Sequence, residues 1–175
     1  MVAAPTVERI LNRPRALRVI EVGSDMTTNE THGNATGWAW ATFTVRWVVG
    51  LIFFMAGWFK CFDMGPIAHA EQFFIGPYSE TWIPTWLLWA IGTSIPVVEL
   101  VAGAALCLGF RKREASILLG LILISVTYGH LMLDPLFGIT GHIFPRLVLL
   151  VFVWVAPPHL DVLSVDHWLA KRKMG

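Results

Sequence analysis

The stretch WLLWAIGTSIPVVELVAGAALCL, residues 86–108, decides the fold class of this chain, because it is almost wholly apolar and carries Glu99 as its single charge. A helix of that length rises about 34 Å, enough to cross the roughly 30 Å hydrocarbon core of a bilayer. Three further apolar segments precede or follow this stretch in the chain, at 43–59, 115–133 and 143–156. The first and last fall a little short of the usual 20 residues. We predict an all-α integral membrane protein built as an antiparallel four-helix bundle.

The composition supports a membrane as the solvent. Of the 175 residues, 55% are hydrophobic and only 14% are charged, with a mean hydropathy of +0.62. A soluble domain usually carries about 25% charged residues. The net charge of +1 argues against a nucleic-acid partner, which requires a basic face. The two cysteines, Cys61 and Cys107, lie far apart and exclude a disulfide framework, a zinc ribbon and a dithiol motif.

Charge asymmetry predicts the orientation of the spans. Eleven of the thirteen basic residues fall on one side of the predicted membrane, and only Lys60 and Arg146 fall on the other. Cytoplasmic loops carry the excess of lysine and arginine, so we predict a multi-pass protein of the inner (plasma) membrane with both termini in the cytoplasm. The 61–85 and 134–142 loops then face outward. We expect Arg46 and Lys60 to extend toward opposite interfaces and so to lengthen the first span.

Three regions are predicted along the chain. Residues 1–37 form a cytoplasmic arm that ends in a polar, turn-rich linker at 23–37. Residues 38–158 form the transmembrane bundle, and residues 159–175 form a cytoplasmic tail that lies on the membrane surface. The 61–85 loop is too apolar for a free loop, and we expect it to fold back over the outer mouth of the bundle. The predicted contacts are membrane lipids and, through 1–37 and 61–85, other integral membrane subunits.

Glu99 is the candidate catalytic residue, because ionisable groups at membrane depth are costly and face a partner inside the bundle. Pro96 lies three residues before it and releases a backbone carbonyl of the span. Two interpretations stay open at this point. Glu99 pairs with Lys60 or Arg146 as a structural ion pair, or it stays neutral as a proton or ligand site.

His130 and His142 are predicted at the outer ends of neighbouring antiparallel spans. Three interpretations are open for them. They cap helix ends and bond to Asp134 or the backbone, they hydrogen-bond a quinone or another small polar ligand, or they ligate a haem or metal. A quinone is favoured over a haem, and no metal site is predicted.

Arg146 and Lys60 complete the candidate ligand-binding set. Arg146 lies one turn beyond His142, where it can balance Glu99 or Asp134 or can bind an anionic group. Lys60 serves in the set or anchors the span at the interface. His69 falls in the outer loop, and we expect it to be exposed to solvent.

The sequence resembles DoxX-like membrane proteins, a similarity that covers about residues 43–156. The first stretch of similarity lies in one predicted span and consists of Arg46-Trp47, Gly50-Leu51 and Gly57-Trp58-Phe59-Lys60. The second is PVVELVAG at 96–103 with Leu108-Gly109-Phe110 and a basic turn after it. The third is GHLMLDPLF with GHIFPR at the end of the bundle. The long N-terminal arm departs from the usual short family N-terminus and favours a partner-binding role for it.

The resemblance implies a four-helix membrane protein whose relatives include subunits of a thiosulfate:quinone oxidoreductase, of the DoxD type, and accessory proteins of membrane redox assemblies. The leading hypothesis is a subunit of a larger membrane redox or energy-transducing complex, associated with a quinone. The alternatives are a quinone-reducing oxidoreductase subunit of the thiosulfate:quinone type and, ranked last, a small transporter or proton-linked channel. Whether the chain is itself an enzyme is left open by the sequence.

Overall fold

A computed structural model describes the backbone of residues 15–136, 138, 140–157 and 161–174, with side chains from residue 36 up to residue 172 of those ranges. The regular secondary structure of these residues is helical throughout, which confirms the predicted all-α class. By internal contacts the chain divides into two units, Met1–Trp38 and Ala39–Gly175. The first fourteen residues of the predicted arm lie outside the described part.

The helices follow one another along the described part of the chain. They are α1 (Arg15–Trp58), a π-helical turn (Phe59–Asp63), α2 (Pro66–Ala70), a second π-helical turn (Glu71–Ile75), α3 (Gly76–Tyr78), α4 (Thr85–Leu108), α5 (Lys112–Leu133), α6 (Ile143–Val155) and α7 (Val165–Met174).

Within the described part of the chain, three helical segments are long and apolar enough to cross a membrane: 36–63, which includes the end of α1, and the helices α4 and α5. The predicted bounds of α4 and α5 differ from the observed ones by one to three residues at their N-termini and agree at their C-termini. The fourth predicted span is the 13-residue helix α6. At 1.5 Å per residue it rises about 20 Å, less than the hydrocarbon thickness.

Residues 23–37, for which the sequence predicts a polar, turn-rich linker, are helical and lie within α1. Asparagine, threonine and glycine lower helix propensity by only fractions of a kcal/mol to about 1 kcal/mol each. Proline would remove a backbone donor and break the helix, but none occurs between Pro14 and Pro66.

The core lies where α1, α4, α5 and α6 meet, around Phe53, Leu106, Leu119 and Leu150. α1 and α4 approach with their backbones almost in contact. A Cβ atom on Gly57 would lie 2.3 Å from the Leu100 nitrogen, so only glycine fits there. Such close approach of small residues is a common way for membrane helices to associate.

One end of the bundle is held by a buried ionic network, here called the basic end (Arg46, Lys112, Asp161 and Asp166). Arg46 donates to the carbonyls of Leu106, Cys107 and Leu163 at 2.7, 2.5 and 2.7 Å. Its Nε atom lies 3.5 Å from Asp161 Oδ2, to which Lys112 Nζ donates at 2.8 Å.

The expectation that Arg46 extends to the membrane interface is therefore wrong, because the side chain is fully buried. The last carbonyls of α4 carry partial negative charge and lack the regular helical donor four residues later. Among the backbone donors of the described residues, only the capping Gly109 N–H donates to the Leu106 carbonyl, so a cation inside the protein supplies further hydrogen bonds. Asp166 caps the next helix by accepting from the backbone N–H groups of Arg111 and Lys112 at 2.9 and 3.1 Å. The C-terminal segment is thus fixed to the α4–α5 turn.

Candidate functional site

A cavity of about 770 Å³ lies on the other side of the core from the basic end. Lys60 in its wall follows Arg46 by fourteen residues, or about 21 Å along a helix. Apolar and aromatic side chains form most of the lining. Six ionisable side chains of Lys, His, Glu and Arg type also line it: Lys60, His69, Glu99, His130, His142 and Arg146. The structure therefore brings all five candidate residues of the sequence analysis to one cavity and adds His69.

Lys60 and Glu99 form an ion pair in this cavity. Lys60 Nζ donates to Glu99 Oε2 at 2.6 Å, with 24% of the lysine side chain and 3% of the glutamate side chain exposed. Lys60 lies in the π-helical turn that ends the first span, three residues after the close approach at Gly57. Of the two partners that the sequence left open for Glu99, the structure selects Lys60.

Arg146 lies over the Phe53 ring, with the guanidinium carbon 5.5 Å from the ring centroid. It forms no ion pair with any carboxylate of the described residues, neither Glu99 nor Asp134. A guanidinium carries five N–H donors and a cation–π contact uses none of them. Arg146 therefore offers donors to an occupant of the cavity.

His130 and His142 lie at the ends of α5 and α6 that border the cavity. His142 occupies the N-cap position of α6 but its side chain makes no capping hydrogen bond, so the capping interpretation fails for it. Among the described residues, no group of three or more His, Cys, Asp or Glu side chains could hold a metal ion.

Residues 66–78 of the segment between the first two spans are helical rather than a loop, and the segment forms one wall of the cavity. It contributes Phe73, Phe74, Tyr78 and Trp82 to the lining. Tyr78 is buried, and burial raises the pKa of its phenol above the ordinary value. The apolar character that the sequence showed for this segment is explained by these contacts.

His69 is the functional candidate that the sequence analysis missed. It was expected in solvent, but it is only 4% exposed. Its Nδ1 atom lies 2.7 Å from the Gly92 carbonyl oxygen, and its ring contacts Phe73 and Phe74 at centroid distances of 5.2 and 5.7 Å. Burial lowers the pKa of His69 and outweighs the Gly92 hydrogen bond, which raises it.

A signal for His69 was present in the sequence. Pro96 has no N–H, so the carbonyl four residues earlier, that of Gly92, has no donor within its helix. Gly92 has no side chain, and a Cβ atom there would lie 2.8 Å from Ala70. The space left by the missing side chain at Gly92 lets α2 pack against α4. This packing places His69 beside the free Gly92 carbonyl.

A family model described as DoxX matches residues 41–131. The chain belongs to the DoxX family. The match includes Lys60, Glu99, His69 and His130 and ends before Arg146. No curated protein and no solved structure matches the chain. With its three apolar helices long enough to span a bilayer, this DoxX protein is a membrane protein in contact with lipid.

Proposed function

We propose that this DoxX protein binds a quinone head group in the cavity, as a quinone-associated subunit of a larger membrane redox or energy-transducing complex. The observation that carries the proposal is the convergence of Lys60, Glu99, His142 and Arg146 on one largely apolar cavity. Pockets for small molecules typically measure 300–1,000 Å³ and combine apolar walls with a few convergent polar groups.

The chemistry of the lining suits a quinone. A quinone ring presents two carbonyl oxygens, which only accept hydrogen bonds, and two flat apolar faces. Arg146 supplies donors, and the Lys60 ammonium has three N–H groups of which the Glu99 contact uses one. Phe73, Phe74 and the other aromatic residues of the wall can stack on the ring.

Glu99 and Lys60 are assigned the proton chemistry in this proposal. The Glu99 carboxylate is almost fully buried and lies beside the Lys60 ammonium, so a proton acceptor and a proton donor lie side by side in the cavity wall. His130, His142 and Arg146 hold the ring. The enzyme form of this hypothesis, quinone reduction, requires an electron donor in a partner subunit.

Binding is tested by titrating the purified full chain in detergent with a short-tailed ubiquinone analogue and following the quenching of tryptophan fluorescence, since Trp82 lines the cavity. We expect saturable quenching, and we expect Arg146→Gln to weaken binding about tenfold, because hydrogen bonds to charged groups contribute about 1.5–3 kcal/mol. Arg113→Gln, at an exposed position in the basic turn, is the matched control. Linear quenching, or equal effects of the two variants, would contradict the proposal.

Two further proposals concern the partner subunits and the orientation of the chain in the membrane. We propose that 1–37 and the 61–85 segment contact other integral subunits, and that the basic end faces the cytoplasm. Blue native electrophoresis after solubilisation in mild detergent should show the chain in a larger complex.

Cysteine labelling from outside the cell should modify Glu80→Cys but not Arg113→Cys, both exposed positions. Migration as the chain alone, or the reverse labelling pattern, would reject them.

A further inference from the structure

We infer that His69 makes the cavity selective for the hydroxyl-bearing, reduced form of its ligand, a hydroquinone, by accepting a hydrogen bond from the ligand O–H at Nε2. The inference rests on the proposed function and names the form of the ligand that the same site prefers. No role was assigned to His69 by the sequence.

The tautomer of His69 is fixed by its partner. A carbonyl oxygen only accepts, so the nitrogen that lies 2.7 Å from the Gly92 oxygen carries the hydrogen. That carbonyl is available because Pro96 cannot donate to it within α4. In the neutral ring the other nitrogen, Nε2, then bears a lone pair and can only accept.

The ring stays neutral and in place at physiological pH. Burial lowers the pKa of His69 from an ordinary value of 6.5, and the Lys60 charge lowers it further, while the Gly92 bond and Glu99 raise it. Phe73 and Phe74 contact the ring, and the absence of a side chain at Gly92 lets α2 lie against α4. The position of Nε2 is therefore set by packing on two sides.

Nε2 has no hydrogen-bond partner among the described residues and is not fully buried, so a ligand in the cavity that His69 lines can reach and cover it. An acceptor left without a donor in a buried site disfavours a ligand that brings only acceptors. A quinone brings two carbonyl oxygens, whereas a hydroquinone brings two O–H groups. Lys60 and Arg146 donate to oxygen in either form, so the donors in the cavity do not distinguish the two forms. Of the acceptors, the Glu99 carboxylate already accepts from Lys60 at 2.6 Å, so the selectivity is assigned to His69.

The test compares the affinities of one quinone and its hydroquinone for the full chain, the latter kept reduced under anaerobic conditions. We expect the wild type to bind the hydroquinone at least about tenfold more tightly. In His69→Asn the side-chain amide can still donate to Gly92 but presents nothing at the Nε2 position. That variant should retain quinone affinity and lose the preference.

Pro96→Ala is a second variant that leaves His69 unchanged. The new N–H can recapture the Gly92 carbonyl, which releases the tautomer of His69 and should reduce the preference as well. A thermal melt shows that each variant is folded. Equal affinity of the wild type for both forms, or an undiminished preference in a folded His69→Asn variant, would overturn the inference while leaving the quinone site in place. Failure of both forms to saturate the wild type would overturn the proposed function itself.

Discussion

Replacing Glu99 with glutamine removes the carboxylate that lies 2.6 Å from the Lys60 ammonium. Removing one partner of a buried ion pair costs about 3–5 kcal/mol, because the other charge is left buried without compensation. A quarter of the Lys60 side chain is exposed, which lets the ammonium keep some solvation. We therefore expect Glu99→Gln to lower the free energy of unfolding by about 3 kcal/mol, the lower end of that range.

A double-mutant cycle separates the pair from the effect of each side chain. Lys60→Met leaves Glu99, which is only 3% exposed, without its cation and should cost about as much. The double variant leaves no charge behind, so its cost should be about 3 kcal/mol or less, well below the sum of the single costs. The measurement is reversible unfolding in mixed detergent micelles at graded fractions of dodecyl sulfate.

The matched control is Glu114→Gln, whose carboxylate lies 3.5 Å from Arg111 with 55% of its side chain exposed. An exposed pair of this kind contributes about 0–1 kcal/mol. Additive single costs, or a Glu99→Gln cost no larger than that of the control, would refute the assignment of Lys60–Glu99 as a buried ion pair.

Three further predictions concern the basic end, the helix contact and the response to pH. Asp161→Asn removes the buried carboxylate from Arg46 and should lower the unfolding free energy by about 3–5 kcal/mol in the same micelle assay, and a loss under 1 kcal/mol would contradict the network. Gly57→Ala should lower the free energy of unfolding by about 1–3 kcal/mol or more, because the new methyl group separates α1 from α4. In the control Gly37→Ala the methyl group meets nothing within 4 Å, so that variant should be as stable as the wild type or more stable. Similar thermal melts for the two variants would be inconsistent with the close approach. The lowered pKa of His69 means that folding favours the neutral ring, so the stability that the neutral ring contributes is present above pH 6.5 and is lost as the pH falls below it. If a His69→Asn variant lost as much unfolding free energy between pH 7 and pH 5 as the wild type, the loss would not come from His69.

The two central spans could be predicted closely from the sequence. Hydrophobic runs bounded by a proline or by a basic turn identify α4 and α5, because a bilayer leaves few alternatives to a helix of that length. The prediction of 143–156 as a full span was less successful. Hydrophobicity alone indicates that the segment is buried in an apolar phase, but it does not say whether 13 residues cross it.

The site could be predicted as a set of residues but not as a geometry. The positions of the residues along their spans predict that either Lys60 or Arg146 can pair with Glu99. The rotation of each helix about its own axis decides between these two cations. That rotation depends on the close contact at Gly57, which has no signature beyond a glycine. The roles of the five predicted residues stay predictions.

Two further features needed contacts between segments far apart in the sequence. Asp161 follows a proline pair near the C-terminus, and nothing local shows that it is buried beside Arg46, 115 residues earlier in the chain. His69 is buried and lies in the helix α2, within a segment for which the sequence predicts a loop. In both cases a carbonyl of α4 that lacks its regular helical donor accepts from a distant side chain, that of Arg46 or that of His69, and Asp161 then pairs with Arg46.

The most direct test of the quinone site is photolabelling of the full chain in its native membrane with an azido-quinone, followed by peptide mass spectrometry. We expect labelling within 66–84 and 122–130, which contribute to the cavity lining, and loss of that labelling when excess unlabelled quinone competes. Labelling confined to exposed bundle positions such as Val101 and Leu121, or labelling that competitor does not reduce, would contradict it.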